Sequence, residues 1–376
     1  MRIGIDIGIL SVDSSTLSSG FLLEIIRNLA AASPNDEFYL FGIGRQIVQP
    51  FTEKNIVEKK IGTSIKSPVY WRWRQNIKLP LALRKEKIDV LISIGGAMVS
   101  NNIPQCLLYW DNWDQHLMPV ADKSFISFFK KNIIRSLSNA EVVVVPDNAT
   151  QLRIQQEYSV GADKIICLPP VASKQDQQFS DDVINTVKKE FTKGKEYFVA
   201  AGDVLAEELV FLLKAFSVFK KRMQTSMKMV IASKNIAEDL SFSEKLNSYK
   251  YRDDVVLFSG PDGLKLAELV ASAYAMIHPS AYFSFFNPVL IALQHKVPAI
   301  CFESLQSGVF SGYNLLTVQN DNYNDLAEKM MLIYRDENLR NSMKANEVDF
   351  TSEFTMDNVV QKLREAIYMA AASTRK

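Results

Sequence analysis

The chain has 376 residues, of which 47% are hydrophobic and 23% charged, and at about 100 to 200 residues per domain this length favours two domains over one. The composition excludes a disordered or collagen-like chain, and a net charge of +1 argues against a protein that binds the nucleic-acid backbone. The cysteines lack the Cys-x-x-Cys spacing of a zinc ribbon and the number of a disulfide framework, and they stand at Cys106, Cys167 and Cys301.

Apolar runs alternate with segments of helical period through the first half of the chain. Predicted strands are RIGIDIG, EFYLFG, NIVEKKI, IDVLIS, QCLLYW, AEVVVVP and KIICLP. Predicted helices lie at 19–33 and near 70–86, 123–137 and 148–158. Continuous apolar strands separated by helices are typical of parallel strands that are covered on both faces.

The alternation pauses at 168–182, where the sequence becomes polar, loses its period and contains two prolines, as an inter-domain linker does. A second alternating series then begins. Its predicted strands are EYFVAAG, MKMVIAS, DVVLFSG, YAMIHPS, VPAICF and NLLTV, and its predicted helices lie at 206–222, up to about 250, at 263–272, at 288–295 and from about 323 onwards.

These patterns predict an α/β fold of two doubly wound, Rossmann-like parallel-sheet domains that face each other across a cleft. The expected division is 1–172 for the N-terminal domain and 173–355 for the C-terminal domain, followed by a terminal helix in 356–376 that packs back toward the N-terminal domain. A ligand is expected at the carboxyl ends of the strands.

Two segments of the first half combine basic and aromatic residues. Residues 54–87 contain ten Lys or Arg against two Glu, with aromatic residues between them in YWRWRQNIKLPLALRK. The segment 123–137, KSFISFFKKNIIRSL, is similar. One interpretation is peripheral contact with an anionic membrane, and the other is aromatic side chains that face the core beside solvated lysines.

The segment PSAYFSFFNPVLIALQHKVPAI at 279–300 reads as a strand end, a loop, a helix from Pro288 and a further strand. Its rhythm resembles the donor-site signature P-S-x-x-E-G-F-G-x-P-x-x-E-A of the retaining family 4 of GT-B glycosyltransferases. VAAGDVLAEELVFLLKAF and QCLLYWDN resemble other segments of that family in the same order. The resemblance covers nearly the whole chain and implies the GT-B fold.

The resemblance also implies a donor side, on which this chain departs from the family pattern. The two glutamates of the signature are replaced by Phe283 and Ile291, and its loop glycines by Ser284 and Phe286. The residues expected on the donor side are Gly202, Asp203, Glu207, Glu208, Ser280, Phe283, Ser284, Phe286, Asn287 and Ile291.

In the loop before the helix of 206–222 and at the start of that helix, acidic residues stand where the family has basic ones. Asp203 takes the place of the Arg that grips the diphosphate, and the Lys position falls on Glu207 or Glu208. Two like charges about 4 Å apart repel by roughly 4 kcal/mol at an effective dielectric constant near 20. The acidic residues therefore predict weak binding of ordinary UDP- or GDP-sugars, although carboxylates before a helix also serve as solvated charges at its N-terminus.

On the acceptor side the resemblance points to Ser19, Gly20, Trp110 and Asp111. Trp110 replaces a family His, whereas the Asp that follows it is kept as Asp111. Asp111 is the candidate catalytic residue, because a carboxylate in the cleft can bind an acceptor or act as a general base. The alternative interpretation is that Asp111 caps the next helix.

Two functions follow from this resemblance. The first is a glycosyltransferase that moves a sugar from a nucleotide-sugar donor to a glycan or lipid-linked acceptor. The alternative is a catalytically impaired pseudo-glycosyltransferase that acts as a scaffold, as the partner subunit of a catalytic glycosyltransferase, or as a glycan-binding protein. No metal or other cofactor is expected, since His116, His278 and His295 are far apart in sequence and the family that the chain resembles requires none.

The N-terminal apolar run indicates where the protein resides. Asp6 interrupts this run too early for the apolar region of a signal peptide, so the sequence predicts a cytoplasmic protein, with peripheral contact at the inner face of the membrane through 54–87 and 123–137 if that interpretation holds. No nucleic-acid partner is expected.

Overall fold

The computed structural model describes most of the chain. The described residues are 1–8, 17–43, 51–62, 67–94, 102–109, 123–171, 178–202, 206–233, 240–259, 263–278, 280, 287–303, 310, 312–345 and 354–373. The chain divides into two compact units, here called the first and the second unit. The first unit contains Met1–Ser14, Ser18–Pro169 and Met356–Lys376, and the second contains Ser15–Leu17 and Pro170–Thr355.

Each unit contains one sheet in which every described strand pairing is parallel. In the described part of the first unit the order is β3-β2-β1-β4-β5-β6-β7, with β1 Arg2–Asp6, β2 Glu37–Gly42, β3 Ile56–Lys60, β4 Val90–Ile94, β5 Gln105–Leu108, β6 Val142–Val145 and β7 Ile165–Cys167. In the described part of the second unit the order is β10-β9-β8-β11-β12-β13, with β8 Tyr197–Ala201, β9 Lys228–Ala232, β10 Val255–Phe258, β11 Ala275–Ile277, β12 Ala299–Phe302 and β13 Leu316–Val318.

Helices connect these strands. The described helices are α1 Leu17–Ala32, α2 Pro68–Trp73, α3 Leu79–Lys85, α4 Lys123–Asn139, α5 Asn148–Tyr158, α6 Asp181–Thr192, α7 Ala206–Met223, α8 Leu240–Asn247, α9 Gly263–Ala271, α10 Val289–Gln294, α11 Tyr323–Arg335, α12 Glu337–Lys344 and α13 Met356–Ser373. A π-helix at Arg74–Lys78 joins α2 to α3, and short 3-10 helices lie at Ala162–Lys164 and Arg252–Asp254. The prediction of two parallel-sheet α/β domains is confirmed.

The second sheet shows why continuous apolar strands predict cover on both faces. Tyr197 and Val199 of β8 belong to one buried apolar cluster, and Phe198 and Ala200 of the same strand belong to another. Because successive strand side chains point to opposite faces, each face of this sheet packs against apolar side chains. All five residues of β8 are buried.

Several helices begin at a polar residue that caps them. The side chain of Asp147 accepts a hydrogen bond from the backbone N–H of Thr150 in α5, at 2.6 Å. Asn322 and Asp336 serve α11 and α12 in the same way. Such caps satisfy backbone donors that have no partner within the helix and fix where each helix begins.

The terminal helix α13 belongs to the first unit, where it contacts β4, β5 and β6. The hydroxyl of Tyr368 donates a hydrogen bond to Oδ2 of Asp36, at 2.8 Å, and Oδ1 of Asp36 pairs with the amino terminus of Met1. The last helix therefore packs on the sheet of the first unit, and Asp36 links it to the first residue of the chain. Among the described residues, no helix is long and apolar enough to cross a membrane.

Candidate functional site

The carboxyl end of β1 carries a buried carboxylate, Asp6, which is held by four hydrogen bonds. Nη1 and Nη2 of Arg74 donate to its two oxygens at 3.1 and 2.7 Å, and Nε2 of Gln75 donates at 3.0 Å. The backbone N–H of Gly8 donates at 3.0 Å. A bidentate Arg–carboxylate pair with added donors is the geometry in which a buried ion pair is stable.

Arg74 and Gln75 are the first two residues of the π-helix, and both side chains reach Asp6. Arg74 is fully buried, and its Nη2 also donates to the carbonyl of Phe41 at the end of β2, at 3.1 Å. A Cβ atom on Gly8 would lie 2.7 Å from the Arg74 guanidinium, so only glycine fits there. These contacts fix the chain where it leaves β1.

Burial also changes the interpretation of the basic-aromatic segment 54–87. Trp71 is 1% exposed and its ring lies 5.1 Å from the Arg74 guanidinium, which is itself 0% exposed. These two residues therefore belong to the interior, and they contribute nothing to an exposed basic-aromatic face. For Trp71, the interpretation as a core-facing aromatic is correct, whereas neither interpretation predicted that Arg74 is buried and paired with Asp6.

The acceptor-side prediction is only partly within the described residues. Ser19 and Gly20 lie in the first turn of α1, and Gly20 is exposed with no atom within 4 Å of the position that a Cβ would take. Trp110 and the candidate catalytic residue Asp111 lie outside the described residues. The assignment of Asp111 therefore stays a prediction.

At the carboxyl edge of the second sheet, three elements converge on Gly202. This glycine follows β8 with φ +140°, a backbone conformation that side chains disfavour. A Cβ on Gly202 would lie 3.8 Å from Cε1 of His278, which follows β11, and 3.9 Å from Cγ of Pro288, which precedes α10. His278 and Ser280 are both buried. The sequence does not predict that His278 lies beside Gly202.

Asn287 is the polar side chain that introduces α10. It is 2% exposed, and its Oδ1 accepts a hydrogen bond from the backbone N–H of Val289 at 2.9 Å. Its Nδ2 has no hydrogen-bond partner among the described residues. A buried amide donor without a partner is costly, so this group is suited to donate to a ligand at the same edge.

This edge is uncharged over most of its described length. The first described residue beyond each of the six strands is Gly202, Ser233, Ser259, His278, Glu303 or Gln319, and none of them is Lys or Arg. Glu207 and Glu208 lie in the first turn of α7, where Glu207 is exposed and Glu208 half-buried. The described part of the edge thus offers neutral polar groups and carboxylates.

The remaining donor-side predictions divide into two groups. Ile291 lies in α10, is 5% exposed and belongs to the apolar core of the second unit. The others, which lie outside the described residues, are Asp203, Phe283, Ser284 and Phe286.

Comparison with known proteins identifies the fold. Residues 195–336 match the family model described as Glycosyl transferases group 1. Sucrose-phosphate synthase from Thermosynechococcus elongatus is similar in structure, with a TM-score of 0.77 and 13% identity over 99% of this chain and 100% of that one. The chain has a GT-B glycosyltransferase fold.

Two further GT-B structures match along nearly their whole length. A glycosyltransferase from Rickettsia africae ESF-5 gives a TM-score of 0.73 at 12% identity and covers 98% of each chain. Anabaena Alr3699/HepE, in complex with UDP and glucose, gives 0.72 at 12% identity, over 98% of this chain and 99% of that one. No curated protein matches the sequence. At these identities the likeness establishes the GT-B fold and leaves the chemistry to the residues of the site.

The cysteines of this GT-B chain are not suited to nucleophilic chemistry. Burial raises the pKa of the Cys106 and Cys301 thiols to about 12 and that of Cys167 to about 11. Because the thiolate is the reactive form, these groups are almost entirely protonated at neutral pH. Within the described ranges, no group of three His, Cys, Asp or Glu side chains lies close enough together to hold a metal ion.

Proposed function

We propose that the chain is a glycosyltransferase that moves a sugar from a nucleotide-sugar donor to a glycan or lipid-linked acceptor, with a donor side that holds the diphosphate weakly. The observation that carries this proposal is the family match over residues 195–336, which contain the edge where Gly202, His278 and Pro288 converge. Ligands of open α/β sheets bind at the carboxyl ends of the strands, which is where this edge lies.

Neutral groups at this edge support a contact with the donor. Gly202 lacks a side chain, so a ligand can approach its backbone closely. The Nδ2 amide of Asn287 is a buried donor that can pair with a hydroxyl or a phosphate oxygen. Neither contact supplies a positive charge, and a neutral hydrogen bond contributes only about 0.5 to 1.5 kcal/mol.

The carboxylates of the first turn of α7 oppose the binding of a diphosphate. Glu207 and Glu208 stand at a helix N-terminus, the end that would otherwise favour an anion. A carboxylate about 4 Å from a phosphate would destabilise the bound phosphate by roughly 4 kcal/mol at an effective dielectric constant near 20. A helix dipole would stabilise it by only about 0.3 to 1 kcal/mol. We therefore expect donor recognition to depend on the sugar and the base more than on the phosphates.

Turnover by the isolated chain tests the proposal. Release of free nucleotide would be measured across a panel of UDP-, GDP- and other nucleotide-activated sugars, with glycans and lipid-linked sugars as acceptors. Gly202→Val is expected to reduce any turnover at least about tenfold, because its side chain fills the approach to the edge. The matched control is Gly194→Val, which also replaces a glycine of positive φ but lies in open space, where turnover should be kept.

A second candidate function is favoured by Ile291. The resemblance puts an acidic, ribose-binding residue at this position, but the side chain here is apolar and packed in the core of the second unit. We propose as the alternative a catalytically impaired protein that serves as a scaffold, as the partner of a catalytic glycosyltransferase, or as a glycan-binding protein. Glycan binding without release of nucleotide from any donor of the panel would favour this alternative, and turnover that Gly202→Val abolishes would exclude it.

A further inference from the structure

A stripe of exposed apolar side chains runs along the helical segment of α2, the π-helix and α3. Val69 is 78% exposed, Trp73 40%, Ile77 49% and Leu81 60%. The four residues recur at every fourth position, the spacing that keeps side chains near one face of a helical segment. Large apolar side chains grouped in this way on a protein surface indicate a contact with another surface.

The charged residues of the helices that carry this stripe and of the neighbouring α4 are all basic. No Asp or Glu occurs in 67–85 or in 123–139, the segments that contain α2, α3 and α4. Exposed basic side chains on these helices are Arg72, Arg84, Lys85, Lys130, Lys131 and Arg135. Lys78 is half-buried, and its Nζ lies 4.3 Å from the centre of the Trp73 ring. The stripe is therefore framed by positive charge.

Two segments that are about 50 residues apart in sequence lie next to each other here. Helix α2 contacts helix α4 within the first unit. Helix α4 adds the exposed Ile134, at 56%, to the basic residues of its outer face. We call the exposed side chains of 69–85 and 130–135 the basic-apolar surface. Trp71 and Arg74, which are buried, are not part of it.

We propose that the basic-apolar surface docks the protein on an anionic phospholipid bilayer. The apolar side chains would enter the boundary between headgroups and acyl chains, and the Lys and Arg side chains would pair with lipid phosphates. Charge decides between candidate occupants, since a second copy of the chain would bring two positive surfaces together, whereas an anionic bilayer complements the surface. This inference does not depend on whether the chain transfers sugars.

Co-sedimentation with vesicles tests the proposal on the full chain. Binding is expected to vesicles that contain phosphatidylglycerol, to be at least about tenfold weaker on vesicles of phosphatidylcholine alone, and to fall as salt is added. Binding to neither kind of vesicle, or equal binding to both, would overturn the proposal.

Two double charge reversals distinguish vesicle binding by this particular surface from an effect of the protein's net charge. The double substitution Arg84→Glu and Lys85→Glu changes two exposed residues in the last turn of α3. Its matched control, Lys221→Glu and Arg222→Glu, changes two exposed residues in the last turn of α7, in the second unit. The first variant should bind anionic vesicles at least about tenfold more weakly, because each basic residue near the surface contributes several-fold. The control should bind as the parent does, and equal losses would contradict the proposal.

A pair of apolar substitutions tests insertion. Leu81→Asp is expected to weaken vesicle binding about fivefold or more, whereas Leu264→Asp, at a leucine of the second unit that is 49% exposed, should not. Both side chains are exposed, and unchanged thermal unfolding would show that both variants fold. Light scattering during gel filtration gives the oligomeric state. A dimer that Leu81→Asp dissolves, without vesicle binding by the parent, would overturn the proposal in favour of a second copy.

Discussion

The carboxyl edges of the two sheets differ in how they use charge. In the first unit, the edge carries a buried carboxylate, Asp6, that is neutralised by Arg74 and further held by Gln75. In the second unit, the described part of the edge brings together Gly202 and His278, near the uncharged Asn287. Corresponding edges of the two sheets thus differ, because one holds a buried ion pair and the other neutral polar groups.

This difference shows that a charged residue at a strand end is not by itself a sign of ligand binding. Arg74 already donates to Asp6 and to a backbone carbonyl, so its charge is satisfied within the protein. Nδ2 of Asn287, by contrast, has no partner among the described residues. We therefore expect the first edge to respond to substitution mainly in stability, and the second edge to respond in stability and in ligand binding.

The largest effect is expected from breaking the buried pair of the first edge. Arg74→Leu leaves the Asp6 carboxylate buried without its counter-charge, which should lower the free energy of unfolding by about 3 to 5 kcal/mol. Urea unfolding followed by tryptophan fluorescence measures this loss in the first unit, because all four tryptophans of the chain lie there.

Two further variants make this measurement specific. Arg84→Leu removes an exposed Arg from the same helical segment and should change stability by no more than about 0.5 kcal/mol. Replacing Asp6 and Arg74 together by leucine should cost less than Arg74→Leu alone, since no unpaired charge remains buried. A small loss for Arg74→Leu would show that the pair does not hold the end of β1.

A smaller effect is expected at the second edge. Asn287→Ala removes the acceptor of the Val289 backbone N–H and should cost about 1 kcal/mol of stability. The control is Asn247→Ala, at an exposed residue of α8, which should change stability by no more than about 0.5 kcal/mol. Thermal unfolding followed by circular dichroism compares the two, and equal shifts would mean that the hydrogen bond from Val289 to Asn287 adds no stability.

The smallest effect is a pH dependence in the second unit. Burial lowers the pKa of His295 below its ordinary value of 6.5, and the ring lies 5.1 Å from that of Phe179. The unfolded chain therefore takes up the proton first, so the contribution of neutral His295 is complete above pH 6.5 and is lost as the pH falls below it.

His295→Phe should remove this part of the acid sensitivity. Stability measured between about pH 7 and about pH 5 should fall less steeply in the variant than in the parent. An unchanged slope would mean that His295 does not contribute to the loss of stability in acid.

The central strands of the sheets could be predicted from the sequence because they are buried on both faces. Runs such as VLISI and VVVV became β4 and β6, whose residues are all buried. A strand that is apolar along its whole length has few alternatives in a chain that alternates strands with helices. The predicted helix near 70–86 corresponds to the continuous helical segment of 68–85.

The interior contacts of that segment could not be predicted. Asp6 and Arg74 are 68 residues apart, and a sequence pattern carries no sign that they pair. The π-helix adds a residue to the turn, so helical periodicity alone does not place Arg74 and Gln75 on the same side. The approach of His278 to Gly202 could not be predicted for a related reason, since it depends on the order of the strands in the sheet.

Calorimetry with UDP and GDP tests most directly the central claim that the donor side of this GT-B chain does not hold a diphosphate tightly. We expect no heat of binding at micromolar nucleotide and at most weak binding at millimolar concentration, because none of the first described residues beyond the strands is Lys or Arg and the first turn of α7 contains two glutamates. Micromolar binding of either nucleotide that Gly202→Val abolishes and Gly194→Val leaves intact would contradict it.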